Sequence, residues 1–170
     1  MNINKKKINT IIFQQFQLSN IEIKEIEKEK KKYKTNRAVS IEALKIVQRH
    51  RGWISTNSIH AISKILNISS NEIEEVATFY SQIFRKPVGN YIIRYCDSIV
   101  CYINNVKKIK SCLEETLKIK SGETTKNKKF TLLPTCCLGF CDKSPVISIN
   151  SYYYPRVTAE SIIFILEQYS

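Results

Sequence analysis

The chain has 170 residues, 43% of them apolar, and a formal net charge of +12. That gives room for one ordinary domain, or one domain with a helical subdomain, and enough apolar content for a true core, which excludes an intrinsically disordered chain. The longest uninterrupted apolar run, residues 162–166, is far short of the roughly 20 residues that cross a bilayer.

Residues 1–18 read as an extension, polar with scattered Ile and Phe. Lys5, Lys6 and Lys7 precede an apolar stretch as in a secretory signal, but Asn9, Gln14 and Gln15 interrupt it and no small-residue cleavage site follows. The chain is therefore expected in the cytoplasm, where six cysteines serve as ligands, catalytic thiols or small core residues rather than as a disulfide framework. Positive charge ordinarily points to nucleic acid or an anionic membrane. Here Ile, Lys and Asn make up 61 residues and Ala only five, a drift expected of an AT-rich genome, and residues 1–37 interleave ten basic with four acidic side chains. The charge is accordingly assigned no specific partner.

Residues 19–86 read as a helical subdomain. Ser19 and Glu22 form a capping box ahead of Ile23 and Ile26, opening a charged helix to Tyr33 in which Glu27 and Lys31 stand four apart. Ser40 is expected to cap a second helix with an Ile41, Leu44, Val47 stripe, and Gly52 to end it ahead of Trp53. Thr56 or Ser58 opens a third, closed by Asn67. Ser69 and Glu72 box a fourth, with Ile68 stapling onto Ile73, and its buried face is expected to continue through Phe79 and Tyr80 to Ile83.

Pro87 and Gly89 then mark a change of hydrophobic period, and residues 87–170 read as a second domain. Its pattern predicts a strand over 91–95 ending at Cys96, a helix over 102–118, a strand over 130–133, a hairpin formed by 146–149 and 152–154, and a helix capped by Thr158. The class is α+β, a helical subdomain followed by β-α-β-β-β-α. Both strands that precede cysteines run straight into them, so if the strands are neighbours their loops meet at one edge of the sheet.

Those loops carry Cys96 and Cys101, and Cys137 and Cys141. Four thiolates so gathered can hold tetrahedral zinc or an iron–sulfur cluster, and spacing alone leaves both open. Gly139 suits a cluster, because a residue without a side chain lets amides approach sulfur, but it suits a plain turn equally. Cys112, three residues beyond Ile109, and Cys136 are expected to be structural, and His50 and His60 are not expected to be ligands. No Cys-x-x-Cys pair supports thiol–disulfide redox chemistry. The four glycines, at 52, 89, 122 and 139, form neither a dinucleotide fingerprint nor a Walker loop, so any nucleotide would be bound by another chain.

Tyr91, Arg94, Cys96, Asp97, Ser98 and Cys101, followed by the run from Thr135 through Cys136, Cys137, Leu138, Gly139, Cys141, Asp142 and Lys143 to Pro145, resemble the E subunit, the thioredoxin-like [2Fe–2S] subunit, of respiratory NADH:quinone oxidoreductase, complex I. Arg37, Ala38, Ile41, Ala43 and Leu44, then Arg51, Gly52 and Trp53, then residues 75–84 resemble that family's helical segments in the same order. The resemblance covers about residue 19 to the end. It implies a thioredoxin-like domain over 87–170, and one [2Fe–2S] cluster held by Cys96, Cys101, Cys137 and Cys141, with Cys137 chosen over Cys136 by the Cys-Leu-Gly-x-Cys pattern. It also implies an electron-transfer subunit of an NADH-oxidising translocase, not catalytic alone, with FMN and NADH on a neighbouring subunit, further iron–sulfur subunits nearby, and a place on the inner face of the cell membrane without spanning it. Asp97 and Asp142 are then expected to disfavour reduction. Ser144, where Gly or Ala is expected, and Ala159, where Pro is common, depart from the family pattern. The competing class is a metal-binding DNA-binding regulator, with residues 55–84 imitating a helix-turn-helix.

Overall fold

The computed structural model describes residues 16–169, so the signal-like lysines and the rest of residues 1–15 lie outside the described residues. The chain divides between Pro87 and Val88 into two compact units.

The first unit is helical: α1 (Asn20–Lys30), a 3-10 turn (Asn36–Val39), α2 (Ser40–Arg51), α3 (Thr56–Leu66) and α4 (Ser70–Phe79). Its core gathers Ile26, Leu44, Val47, Ile62, Leu66 and Ile73, each fully or almost fully buried. Both predicted capping boxes form, at Ser19 with Glu22 and at Ser69 with Glu72, and Asn67 closes α3 in the left-handed region at φ 50°.

Several local expectations fail for physical reasons. Ser40 is no cap: the 3-10 turn runs directly into α2, which places Ser40 itself in helical geometry at φ −53°. Its buried hydroxyl finds no hydrogen-bond partner among the described residues. The cap of α3 is Ser55, whose Oγ accepts from the Ser58 amide at 3.1 Å, so neither Thr56 nor Ser58 fills that role. The buried face of α4 also stops early, because the helix ends at Phe79 and both Phe79 and Tyr80 are exposed. On α1 the ion pairs form at i,i+3, Glu27 with Lys30 and Glu29 with Lys32, rather than between Glu27 and Lys31.

The segment after α4 is tied back by polar contacts. The Gln48 side chain donates to the Gln82 carbonyl at 2.7 Å and accepts from the Phe84 amide at 2.6 Å. Arg85 forks onto Glu74 at 2.9 and 2.8 Å and donates to the Ile54 carbonyl.

The second unit contains β1 (Tyr91–Cys96), α5 (Ile99–Ile103), α6 (Val106–Leu117), β2 (Phe130–Thr135), β3 (Ile147–Ile149), β4 (Tyr152–Tyr154) and α7 (Ala159–Glu167). The strand order is β2-β1-β3-β4, with β1 parallel to β2 and antiparallel to β3. Ile93, Leu132, Ile147 and Ile149 on the sheet pack with Leu113 and Ile162 on the helices into one core. The expected α+β order is therefore present, with two differences. The single helix expected over 102–118 is broken between α5 and α6, where Asn105 takes φ 64°. Strand β2 also runs on through Pro134 to Thr135, since an edge strand tolerates a residue that cannot donate on its outer side.

Gly89 is the tightest glycine contact. Its amide donates to Thr131 Oγ1 at 2.6 Å, and a Cβ placed there would lie 2.8 Å from the Lys129 carbonyl carbon and oxygen and 2.9 Å from the Phe130 nitrogen. Those neighbours are backbone at the start of β2 and cannot rotate away. Gly89→Ala is therefore expected to destabilise the second unit by about 1–3 kcal/mol, read as a lowered urea midpoint in far-ultraviolet circular dichroism; an unchanged midpoint would contradict this packing.

Candidate metal centre

The parallel pairing of β1 and β2 decides where the cysteines go. Cys96 is the last residue of β1 and faces Thr135, the last residue of β2, in register. The two chain segments leave the sheet side by side, and the Asp97 amide donates to the Thr135 carbonyl at 2.8 Å just beyond the last pair. Cys96 and Cys101 are buried, whereas Cys137 and Cys141 are exposed.

Within the second loop the sulfurs of Cys137 and Cys141 lie 3.2 Å apart, and the Gly139 amide donates to Cys137 Sγ at 3.4 Å. Gly139 takes φ +84°, but a Cβ there would meet nothing within 4 Å. Glycine is needed for a backbone that L side chains resist, not to relieve crowding. That conformation is what aims the amide at sulfur.

The thiols perturb one another across the loops. Burial pushes Cys101 up to about 11, assisted by the Cys96 thiol and opposed by the Val146 backbone amide. The Gly139 amide leads in holding Cys137 below its ordinary value, with hydrogen bonds from the thiols of Cys141 and Cys96 adding to it. Cys141 is raised, first by its hydrogen bond with Cys137, then by burial, with smaller pushes from Cys96 and Asp142. Among the described residues no group of three or more Cys, His, Asp or Glu side chains stands at the spacing of ligands to one metal ion. Cys137 and Cys141 are in direct contact at 3.2 Å, and the thiols of the two loops influence one another's protonation through Cys96 and Cys137. Such a set fits a two-iron core, in which each iron takes two thiolates and backbone amides donate to sulfur. Thiols ligate only after losing their protons, so metal loading of any such set is favoured by rising pH.

The remaining candidates separate. Cys112 packs against the core of its unit and its Sγ donates to the Ala159 carbonyl at 3.5 Å, a structural role as expected. Cys136 is exposed, not packed at the sheet edge, because β2 has already ended at Thr135. His50 sits in the helical unit with Nε2 3.0 Å from Glu25, and His60 belongs to α3 of the same unit. Phe140, between the second pair of cysteines, stacks on Tyr153 of β4 at 5.2 Å between ring centroids. No local sequence signal points to that contact, because it joins a loop residue to a strand 13 positions further along the chain. The helix-turn-helix imitation does not present a phosphate-seeking face: α4 carries Glu72, Glu74 and Glu75 and no basic residue.

Comparison with known proteins places this chain. Residues 26–170 match the family described as thioredoxin-like [2Fe-2S] ferredoxin. The chain is similar to the E subunit of the NADH-quinone oxidoreductase of Buchnera aphidicola subsp. Acyrthosiphon pisum, at 60% identity over 91% of this chain and 95% of that protein. It is 53% identical to the corresponding subunit of Escherichia coli K12 over 91% of this chain and 93% of that one, and 47% identical to that of Pseudomonas aeruginosa over 95% and 97%. Among solved structures, an NAD+-reducing [NiFe]-hydrogenase in its air-oxidized state superposes with a TM-score of 0.64 at 25% identity, covering 74% of this chain. This chain spans only 22% of that hydrogenase chain.

Proposed function

Since the chain belongs to the E-subunit family of NADH-quinone oxidoreductase, with a thioredoxin-like [2Fe–2S] ferredoxin domain, we propose that it is a peripheral electron-transfer subunit of that complex. Cys96, Cys101, Cys137 and Cys141 hold one [2Fe–2S] cluster, which exchanges single electrons with the FMN of a neighbouring NADH-binding subunit. The observation that supports this most is the parallel register of β1 and β2, which sets two cysteine loops side by side with thiols of both interacting.

When bound, the cluster supplies one-electron redox chemistry, adding one negative charge on reduction. The chain's own residues do the rest. Buried Cys96 and Cys101 keep water from one side of the site, while exposed Cys137 and Cys141 leave the other open to a partner. The Gly139 amide stabilises charge on the Cys137 sulfur, and Asp97 and Asp142 oppose added negative charge. No helix among the described residues is long and apolar enough to cross a membrane. In this reading, attachment to the inner face of the cell membrane is through other subunits of the complex.

Tagged full-length chain, purified with its partners from gently extracted membranes, is expected to bring down an FMN-containing subunit. The chain itself should contain two irons and two labile sulfides and give a paramagnetic signal on reduction. Stoichiometric zinc without iron, or recovery with no flavoprotein, would overturn this reading.

A further inference from the structure

The helix expected over 102–118 breaks at Asn104 and Asn105, just after the first cysteine loop in the chain. Asn105 adopts φ 64°, a conformation that Asn tolerates better than other residues with a side chain. A break in an otherwise helical pattern is where a functional constraint is expected to override local preference.

At the break Asn104 is bonded through both its backbone and its side chain. Its backbone amide donates to the Val100 carbonyl at 3.1 Å, and its side-chain Nδ2 donates to the same carbonyl at 3.0 Å. Nδ2 also lies 2.5 Å from Ser144 Oγ. A carbonyl can only accept, so the nitrogen end of the amide faces Val100, and the Ser144 hydroxyl is then the acceptor of the other N–H. Val100 adjoins Cys101, and Ser144 follows the turn Cys141–Lys143. One side chain thus bonds both cysteine-bearing segments.

We propose that Asn104 is a positioning residue that latches the exposed second cysteine loop onto the buried first one through Ser144, and thereby sets how long the chain retains its cluster. This rests on the ligand assignment above. The second loop has little regular structure: a 3-10 turn, with the Lys143 amide donating to the Phe140 carbonyl at 3.0 Å and the Arg156 amide to the Lys143 carbonyl at 2.8 Å. Loss of a cluster begins when one pair of thiolates swings away, and the Asn104 to Ser144 bond resists that motion directly.

The test measures release of the cluster from loaded full-length protein under excess iron chelator without oxygen, followed by loss of visible absorbance. Ser144→Ala is expected to release about fivefold faster than the unaltered chain, the size of one net hydrogen bond, and Asn104→Ala at least that much faster, since it also loses the bond to the Val100 carbonyl. The double variant should be no faster than Asn104→Ala, because the Asn104 to Ser144 bond is already lost in that single variant. Ser144→Thr keeps the hydroxyl and should restore near-original retention. Asn104→Asp, close in shape, should release faster than Asn104→Ala because a carboxylate then faces the Val100 carbonyl. The urea midpoint of the cluster-free protein should fall only slightly, by no more than the lost hydrogen bonds contribute to folding. Additive effects, or release at the original rate in both alanine variants of a well-loaded protein, would overturn the latch alone. Failure of the unaltered chain to take up a cluster at all would overturn the proposed function and the latch with it.

Discussion

Replacing Cys137 with serine is expected to remove the [2Fe–2S] cluster almost completely, whereas replacing its neighbour Cys136 is expected to leave iron and sulfide content near two of each. The two residues are adjacent and both exposed, so neither burial nor position along the chain separates them. Contacts do. The Cys137 sulfur lies 3.2 Å from Cys141 and accepts the Gly139 amide at 3.4 Å, and it interacts with Cys96 of the other loop. Serine at this position offers a poorly matched alkoxide ligand with a far higher pKa, which cannot replace a thiolate at neutral pH. Serine for Cys96, Cys101 or Cys141 should have the same effect. Iron and sulfide analysis with visible spectra of each purified variant decides it, and equal damage from Cys136→Ser and Cys137→Ser would show that the ligand set is wrong.

The second large effect belongs to the helical unit. Arg51→Ala is expected to cost about 3–5 kcal/mol at neutral pH, because it leaves a buried carboxylate without its cation. Glu22 is fully buried and serves twice: Oε2 accepts from the Ser19 amide at 2.6 Å in the capping box, while Oε1 and Oε2 accept from Arg51 at 2.6 Å each. Arg51 in turn donates to the Gln17 carbonyl at 3.2 Å and lies 4.7 Å from the centre of the Phe16 ring. Burial alone would raise the Glu22 carboxyl, but the bonds from Arg51 and Ser19 outweigh it and bring it from 4.5 down to about 2.

A carboxyl depressed on folding contributes its stability in full above the unfolded value and loses it as pH falls toward the folded one. The unaltered chain should therefore lose about 3 kcal/mol between pH 4.5 and pH 2 from this group. The gap between it and Arg51→Ala should narrow over the same window, since protonated Glu22 no longer needs a cation. The single tryptophan, Trp53, lies in this unit, so its fluorescence in urea titrations at several pH values reports the effect locally. A gap that stays constant with pH, or none at all, would contradict the role given to the pair.

Capping signals were the most legible part of the sequence. The boxes at Ser19 with Glu22 and Ser69 with Glu72, the left-handed Asn67 and the Thr158 cap with Ser161 depend on residues three or four apart, and the chain brings those together by itself. Ser40 shows the limit: its composition is right for a cap, but the turn before it is already helical, and whether a preceding segment coils is settled by what it packs on. Phe79 and Tyr80 fail in the same way. Their spacing continues a buried stripe, yet the helix ends before they can be covered.

For the candidate metal centre, the sequence by itself offered the candidate donors, four cysteines in two pairs that each follow a strand, with Gly139 as a residue that suits either an amide's approach to sulfur or a plain turn. What it could not determine is that the strands are neighbours, because pairing between residues about 40 apart is a choice among partners made by the whole core. The Glu22 and Arg51 pair is likewise invisible in sequence, as is the Asn104 bond to Ser144, since each joins residues 29 or 40 positions apart. Local chemistry is written along the chain within one turn of helix or one loop. Bringing distant groups within bonding distance costs chain entropy that only the assembled core repays, and so only the tertiary structure decided which side chains meet.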